Sequence, residues 1–126
     1  MTRAAAAAAT ALVMLILAGA ASAQTLDQRV ANLLRVEWER VPDRPGIEGY
    51  VYNDSSYRIG LVRLTIAGRD APTETPTSTL AWVYGNVPAR GRWYFRARVP
   101  SSREVLSVSI ESFHLIAQDP PPSQSP

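Results

Sequence analysis

Neither cysteine nor lysine occurs in this sequence, and its 126 residues include a single histidine, His114. Without cysteine there is no disulfide framework, so the fold must be held together by its hydrophobic core alone. Zinc sites built from histidine and cysteine are excluded for want of ligands. The imidazole of His114 lies among apolar residues, where a structural or surface role is more common than catalysis. The serine-hydrolase motif GxSxG is missing as well.

Two groups of polar residues could suggest catalysis or calcium binding, but each favours a structural role. Glu37 and Glu39 share the outer side of a predicted strand, where both are solvated, whereas a general acid/base pair requires one of the two to be buried. The run 53–56 (Asn-Asp-Ser-Ser) offers one carboxylate, whereas calcium takes six to eight oxygen ligands. We therefore predict no enzyme activity, no cofactor and no metal.

Positive and negative charges are nearly balanced. All 13 basic residues are arginine, against 11 acidic residues, and the formal net charge is +2. Domains that bind nucleic acid carry a larger and more clustered positive excess. Nucleic acid is therefore excluded as the predicted partner.

The first 23 residues have the order of a secretory signal peptide. One positive charge, Arg3, precedes a long run of alanine and leucine, and Ala21-Ser22-Ala23 supplies the small residues that a signal peptidase reads. We predict cleavage after Ala23, a periplasmic or secreted bacterial protein, and no transmembrane segment in the mature chain. A retained membrane anchor is the alternative, because about 20 apolar residues can span a bilayer. Alanine is only weakly apolar, which favours cleavage.

The rest of the chain alternates between polar and apolar residues, with turn residues every dozen positions or so. This pattern predicts an all-β fold, an antiparallel β-sandwich of six to seven strands spanning residues 33–117. Residues 24–32 form a lead-in with a possible short helix capped by Asp27, and the proline-rich residues 118–126 form a disordered tail. The predicted strands are 33–41, 46–54, 58–68, 79–88, 92–99 and 105–118.

The side-chain pattern also predicts which residues face the core. In the fifth strand, Trp93 and the apolar residues that alternate with it, through Val99, face inward. The fourth strand has Leu80, Trp82 and Tyr84 in register on one face. In the last strand the alternation begins at Leu106 and slips near Glu111-Ser112, which predicts a β-bulge there.

The middle of the chain resembles the FxLYD-type domains, small immunoglobulin-like sandwiches of exported prokaryotic proteins. The resemblance is carried by "GYVYN" with Gly49 and Asn53, by "VRLTI", by "VPARGRWYF" and by the closing "ESF". The aromatic string that names the family is replaced here by "LTIAGRD". The resemblance implies an immunoglobulin-like module without known enzymatic activity. In this reading Gly49 allows two strands to approach closely, and Asn53 satisfies turn amides.

Two sets of residues are candidates for binding. In the stretch "RWYFRARV" (92–99), burial of the apolar residues places the alternating polar residues on the outer face. This polar row, with Arg90 just before it, either pairs with glutamates on neighbouring strands or binds an anion. Its members are Arg90, Arg92, Tyr94, Arg96 and Arg98. The second set consists of tyrosines, which form a candidate interface if Val51 faces inward and the tyrosines face outward. The sequence leaves both orientations open, because a shift of one residue in strand register reverses the direction of every side chain. The members of this second set are Tyr50, Tyr52 and Tyr57.

Together these observations predict a non-catalytic exported module that contacts an unknown protein or another component of the cell envelope. The alternative is a binder of anionic glycolipid or polysaccharide that uses the arginine row.

Overall fold

The computed structural model describes residues 24–120. The predicted signal peptide (1–23) and most of the proline-rich tail lie outside the described residues. The described chain forms one short helix, followed by six strands. Their bounds are α1 (Leu26–Ala31), β1 (Leu34–Arg40), β2 (Ile47–Asn53), β3 (Tyr57–Arg69), β4 (Thr77–Trp82), β5 (Gly91–Ala97) and β6 (Glu104–Gln118).

The strands form two antiparallel sheets, which confirms the predicted all-β sandwich. Sheet A has the order β1-β2-β5 and sheet B the order β4-β3-β6. In chain order, β1 to β6 correspond to strands A, B, C, C′, E and F of an immunoglobulin sandwich. Sheet A is then A-B-E and sheet B is C′-C-F, and strands D and G have no counterpart among the described residues. No helix among the described residues is long and apolar enough to cross a bilayer.

Helix α1 occurs where the lead-in predicted a short helix, but its cap differs from the prediction. Thr25 rather than Asp27 is the N-cap, and it forms a capping box with Gln28. Asp27 lies in the first turn instead. Val30 is the residue that anchors the helix, with a side chain only 2% exposed against the core.

The core lies between the inner rows of both sheets. Val62, Leu64 and Ile66 of β3 alternate with more exposed residues and are buried, and Phe95 and Ala97 of β5 are also buried. Burial of each large aliphatic or aromatic side chain contributes about 1.5–3 kcal/mol. The residues with fully buried side chains include Ile47, Val51, Ile59, Val62, Leu64, Ile66 and Val87.

Two predictions are wrong at the edges of the sheets, one of an inward-facing residue and one of the length of a strand. Trp93 has inward parity but remains 41% exposed, because β5 is an edge strand and the large indole extends past the core. Strand β4 ends at Trp82 instead of continuing to residue 88. The three residues predicted to share one face of this strand are exposed: Leu80, Trp82 and Tyr84.

Strand β6 contains the predicted bulge and two further extra residues, Leu106 and Ile116. Arg63 pairs with Ser112 and Leu64 with Ile110, so Glu111 is the extra residue, as predicted. A second shift lies between Ala67 and Gly68 of β3 and makes Leu106 of β6 the extra residue. Leu106 is consequently 40% exposed, and Val105 takes its predicted place against the core.

Polar side chains that are buried or partly buried hold the loops in place. The amide of Asn53 donates to the carbonyl oxygens of Tyr57 (2.7 Å) and Pro88 (3.1 Å), and its oxygen accepts from the backbone and hydroxyl of Ser55. These bonds join the β2–β3 turn to the segment before β5. At the other end of the sandwich, Arg103 donates to the backbone carbonyls of Gly68 and Thr77.

Candidate functional site

The outer face of sheet A brings most of the candidate binding residues together. The registers of β1, β2 and β5 arrange nine outward side chains in three rows across the sheet. We call this surface the tyrosine face. Its rows are Arg35-Tyr52-Arg92, Glu37-Tyr50-Tyr94 and Glu39-Glu48-Arg96.

Tyr50 lies at the centre of the tyrosine face and touches its neighbours through its ring. The ring centroid is 6.2 Å from that of Tyr52 and 5.9 Å from that of Tyr94. The guanidinium carbon of Arg92 lies 4.3 Å from the Tyr50 ring centre, and that of Arg35 lies 4.0 Å from the Tyr52 ring centre. Such cation–π contacts hold the guanidinium groups over the ring faces. The face is thus ordered by its own contacts.

The structure separates the three candidate tyrosines. Val51 is fully buried, so Tyr50 and Tyr52 face outward and are only half-buried. Tyr57 is at the start of β3 and packs against the core instead. The candidate interface therefore keeps two of its members and gains Tyr94.

The predicted arginine row is divided among different partners. Arg92 and Arg96 belong to the tyrosine face, where Arg96 lies directly across from Glu48. Arg90 has a left-handed backbone (φ 54°), and its guanidinium donates to the Pro120 carbonyl at 2.6 Å. Arg98 lies beyond the end of β5 and is exposed.

Charge on the tyrosine face is balanced, because its three arginines match its three glutamates. The neighbouring Tyr52 hydroxyl, and then the Arg35 guanidinium, hold the pKa of Glu37 below its usual value by stabilising the carboxylate. The Tyr94 hydroxyl donates to a Glu48 carboxylate oxygen at 2.7 Å. This hydrogen bond, with partial desolvation and the Glu48 charge, raises the pKa of Tyr94.

We expect Glu48→Gln to lower the pKa of Tyr94 towards its ordinary value of 10.0, since glutamine carries no negative charge. In the native protein the raised pKa favours the neutral phenol. Its stabilising contribution is therefore present below the ordinary pKa and is lost as pH rises through the raised one. Absorbance titration of tyrosinate tests this, with Tyr94→Phe in each background to isolate the signal. An unchanged or higher pKa of Tyr94 would contradict the assignment.

Two shallow depressions adjoin the tyrosine face. One, of about 390 Å³, lies over the acidic end of the face, among Glu39, Glu48, Tyr50 and Tyr94. The other, of about 410 Å³, lies at the β5 edge and is mostly apolar. It is lined by Tyr84, Trp93, Tyr94, Phe95 and Arg96. A binding surface can therefore run from the face around this edge.

The sequence reasoning missed Tyr84 and Trp93 as surface residues. Tyr84 is 84% exposed at the start of the turn after β4. The indole nitrogen of Trp93 donates to the Tyr84 carbonyl at 2.6 Å, and its ring packs where a side chain at Gly85 would lie. Gly85, with a φ of 96°, and the proline that follows at 88 are the turn signals that could have indicated that the strand ends before Tyr84.

Among residues 24–120, no group of three or more histidine, cysteine or acidic side chains is placed to hold a metal ion. The polar side chains of the turn 53–56 form hydrogen bonds within the turn, chiefly those of Asn53 and Ser55. The side chains of the tyrosine face offer aromatic rings and hydrogen-bonding groups.

No family model, no curated protein and no solved structure matches this chain. The resemblance to FxLYD-type domains therefore stays a prediction.

Proposed function

We propose that this protein is a non-catalytic binding module that works outside the cytoplasm and contacts another protein through the tyrosine face. The observation that carries the proposal is the charge-balanced, ordered cluster of Tyr50, Tyr52 and Tyr94 on the outer face of a sheet. The signal-like residues 1–23 and the FxLYD-type resemblance support export and an envelope partner.

Physical properties of the tyrosine face favour a protein partner. Tyrosine and arginine are enriched in protein interfaces, where their large side chains supply contact area and hydrogen bonds. Tyrosine has few rotatable bonds, so ordering it on binding costs little conformational entropy. Three arginines and three glutamates give a pattern of both signs, which suits a partner surface with complementary charges more than a uniformly anionic ligand.

The test is capture of a partner from envelope extract by the purified protein. We expect Tyr50→Ala with Tyr94→Ala to weaken capture by roughly thirtyfold or more, as loss of central aromatic contacts does. Trp82→Ala is the matched control, because Trp82 is also an exposed aromatic under an arginine (Arg63), but on sheet B. Capture that survives the double substitution, or is lost equally in the control, would contradict the proposed face.

A second candidate function is favoured by one observation. A depression of about 570 Å³ beside the end of β5 is bordered by three arginines and no carboxylate. This supports the alternative of an anionic glycolipid or polysaccharide, although only part of the original arginine row contributes. The lining residues are Arg44, Pro45, Tyr84, Arg96, Ala97 and Arg98.

Salt distinguishes the two candidates in the same capture experiment. Binding of an anionic glycan through exposed arginines falls steeply with ionic strength, because exposed charges are screened. We expect a protein partner to be recovered at both low and high salt. Recovery of glycolipid at low salt only, abolished by Arg96→Ala with Arg98→Ala, would favour the second candidate instead.

A further inference from the structure

One side of the sandwich is covered less completely than the rest. Strands β1 and β6, at the edges of sheets A and B, come close together there, yet no hydrogen-bonded ladder joins them within residues 24–120. Of the ten apolar residues that pack on the core but stay partly exposed, eight belong to these two strands. They are Leu34, Val36 and Trp38 of β1, and Val105, Val108, Ile110, Phe113 and Leu115 of β6.

Strand β6 is the edge that can accept another strand. It is 15 residues long and is hydrogen-bonded on one side, to β3. An edge strand leaves backbone donors and acceptors free for pairing with another chain. The position beside it is the one that strand G occupies in an immunoglobulin sandwich.

Residues 119–126, which follow β6, are unsuited to fill this position. The sequence after β6 is Asp-Pro-Pro-Pro-Ser-Gln-Ser-Pro, with four prolines and no aliphatic or aromatic side chain. Proline has no N–H to donate to a ladder, and the segment brings nothing to cover Val108 or Ile110. Asp119 and Pro120 are held beside β3 and Arg90 instead, because Asp119 N–H bonds to the Ser56 carbonyl and the Pro120 carbonyl accepts from Arg90.

We propose that the occupant is a second copy of the same strand, so that two molecules pair β6 to β6 antiparallel across a two-fold axis at Ser109. This register keeps core-facing residues opposite core-facing residues. Val108 of each copy lies across from Ile110 of the other, and Val105 lies across from Phe113. The two sheets B join into one six-stranded sheet, and the half-exposed side chains of β6 gain cover.

The charges of β6 agree with this register. Glu104 lies across from His114 of the other copy, and Glu111 lies across from Ser107, so no like charges are directly opposed. A register centred between Glu111 and Ser112 also matches inward with inward residues. It brings the two Glu111 carboxylates side by side at the axis, which disfavours it.

The bulges of β6 fit the same symmetry. Bulges at an edge usually discourage pairing, because they bend the strand away from a regular partner. About Ser109, the extra residue Leu106 of one copy lies across from Ser112 of the other, next to that copy's extra residue Glu111. The bends of the two strands therefore fall within one residue of each other.

The absence of cysteine makes a direct test possible. Ser109→Cys places one thiol of each copy at the axis, where directly opposed Cβ atoms are about 4.5–5.5 Å apart, close to disulfide geometry. Ser109 is exposed, so the variant is expected to fold. Ser78→Cys is the matched control, an exposed serine on β4, the other edge of the same sheet. Ser112→Cys tests the register, because it faces Leu106 rather than itself.

We expect the unmodified protein to show a dimer–monomer equilibrium in sedimentation analysis. Under mild oxidation the Ser109→Cys dimer should form at least tenfold faster than the dimers of both other variants. Ser109→Lys, which sets like charges together at the axis, should shift the equilibrium to monomer while Ser78→Lys does not. A monomer at all concentrations, or equal crosslinking of the three cysteine variants, would overturn the proposal. Neither result bears on the tyrosine face, which lies on sheet A.

Discussion

Replacing Asn53 with alanine is expected to destabilise the domain by about 3 kcal/mol, because the substitution leaves buried backbone groups without partners. Asn53 is fully buried, and its amide satisfies the carbonyl oxygens of Tyr57 and Pro88 while its oxygen accepts from Ser55. These groups come from two separate parts of the chain, the β2–β3 turn and the segment before β5. Alanine can replace none of the hydrogen bonds, and the cavity it leaves is too enclosed for bulk water to repair all of them.

Thermal unfolding of the purified protein measures this effect. For a domain of this size, about 3 kcal/mol corresponds to a decrease in Tm of roughly 12–24 °C. Asp54→Ala is the control, since Asp54 is the exposed neighbour in the same turn and its loss should change stability by less than about 0.5 kcal/mol. Equal Tm values for Asn53→Ala and Asp54→Ala would show that the Asn53 hydrogen bonds do not stabilise the fold.

Substitution of Gly49 by alanine is expected to cost about 3 kcal/mol for a steric reason. A Cβ atom at this position would overlap the Glu37 carbonyl oxygen and lie 2.8 Å from the Trp38 Cα atom. Both obstacles are backbone atoms of β1, so no side-chain rotation relieves them. Strand β1 must move away from β2, which costs strain as overpacked sites do and uncovers part of the core.

Urea unfolding and amide hydrogen exchange together test the Gly49 prediction. We expect a lower free energy of unfolding, and faster exchange concentrated in β1 (Leu34–Arg40) rather than spread over the protein. Glu39→Ala, an outward-facing change on β1 itself, should leave exchange in that strand nearly unchanged. Fast exchange in all six strands of Gly49→Ala would mean that the effect is global and not a local separation of β1.

Local patterns in the sequence were enough to predict most of the fold. The period-2 alternation of Val62, Leu64 and Ile66 predicts β3 and its inner face because a strand alternates its side chains whatever its neighbours are. The slip near Glu111 predicts the bulge for the same reason. The close approach at Gly49 and the turn role of Asn53 also follow from the residues themselves.

The errors lie where a residue's position in the sandwich outweighs its local pattern. Trp93 and Phe95 have the same parity, yet Trp93 is 41% exposed and Phe95 is 3% exposed. An edge strand has a neighbour on one side only, so a long indole at its end extends past the core. The other edge strand, β4, ends at Trp82 rather than at residue 88, so Tyr84 lies in the turn that follows it.

The composition of the chain by itself determined that the fold relies on an uncrosslinked hydrophobic core, and its alternation determined an all-β sandwich. Only the tertiary structure decided which residues meet. Tyr50 and Tyr94 are 44 positions apart and become neighbours through the register of β2 with β5, while Arg90 and Arg98 are directed elsewhere. Register depends on long-range pairing and burial, which a single strand's sequence does not contain. The tyrosine face is therefore a property of the assembled sheet.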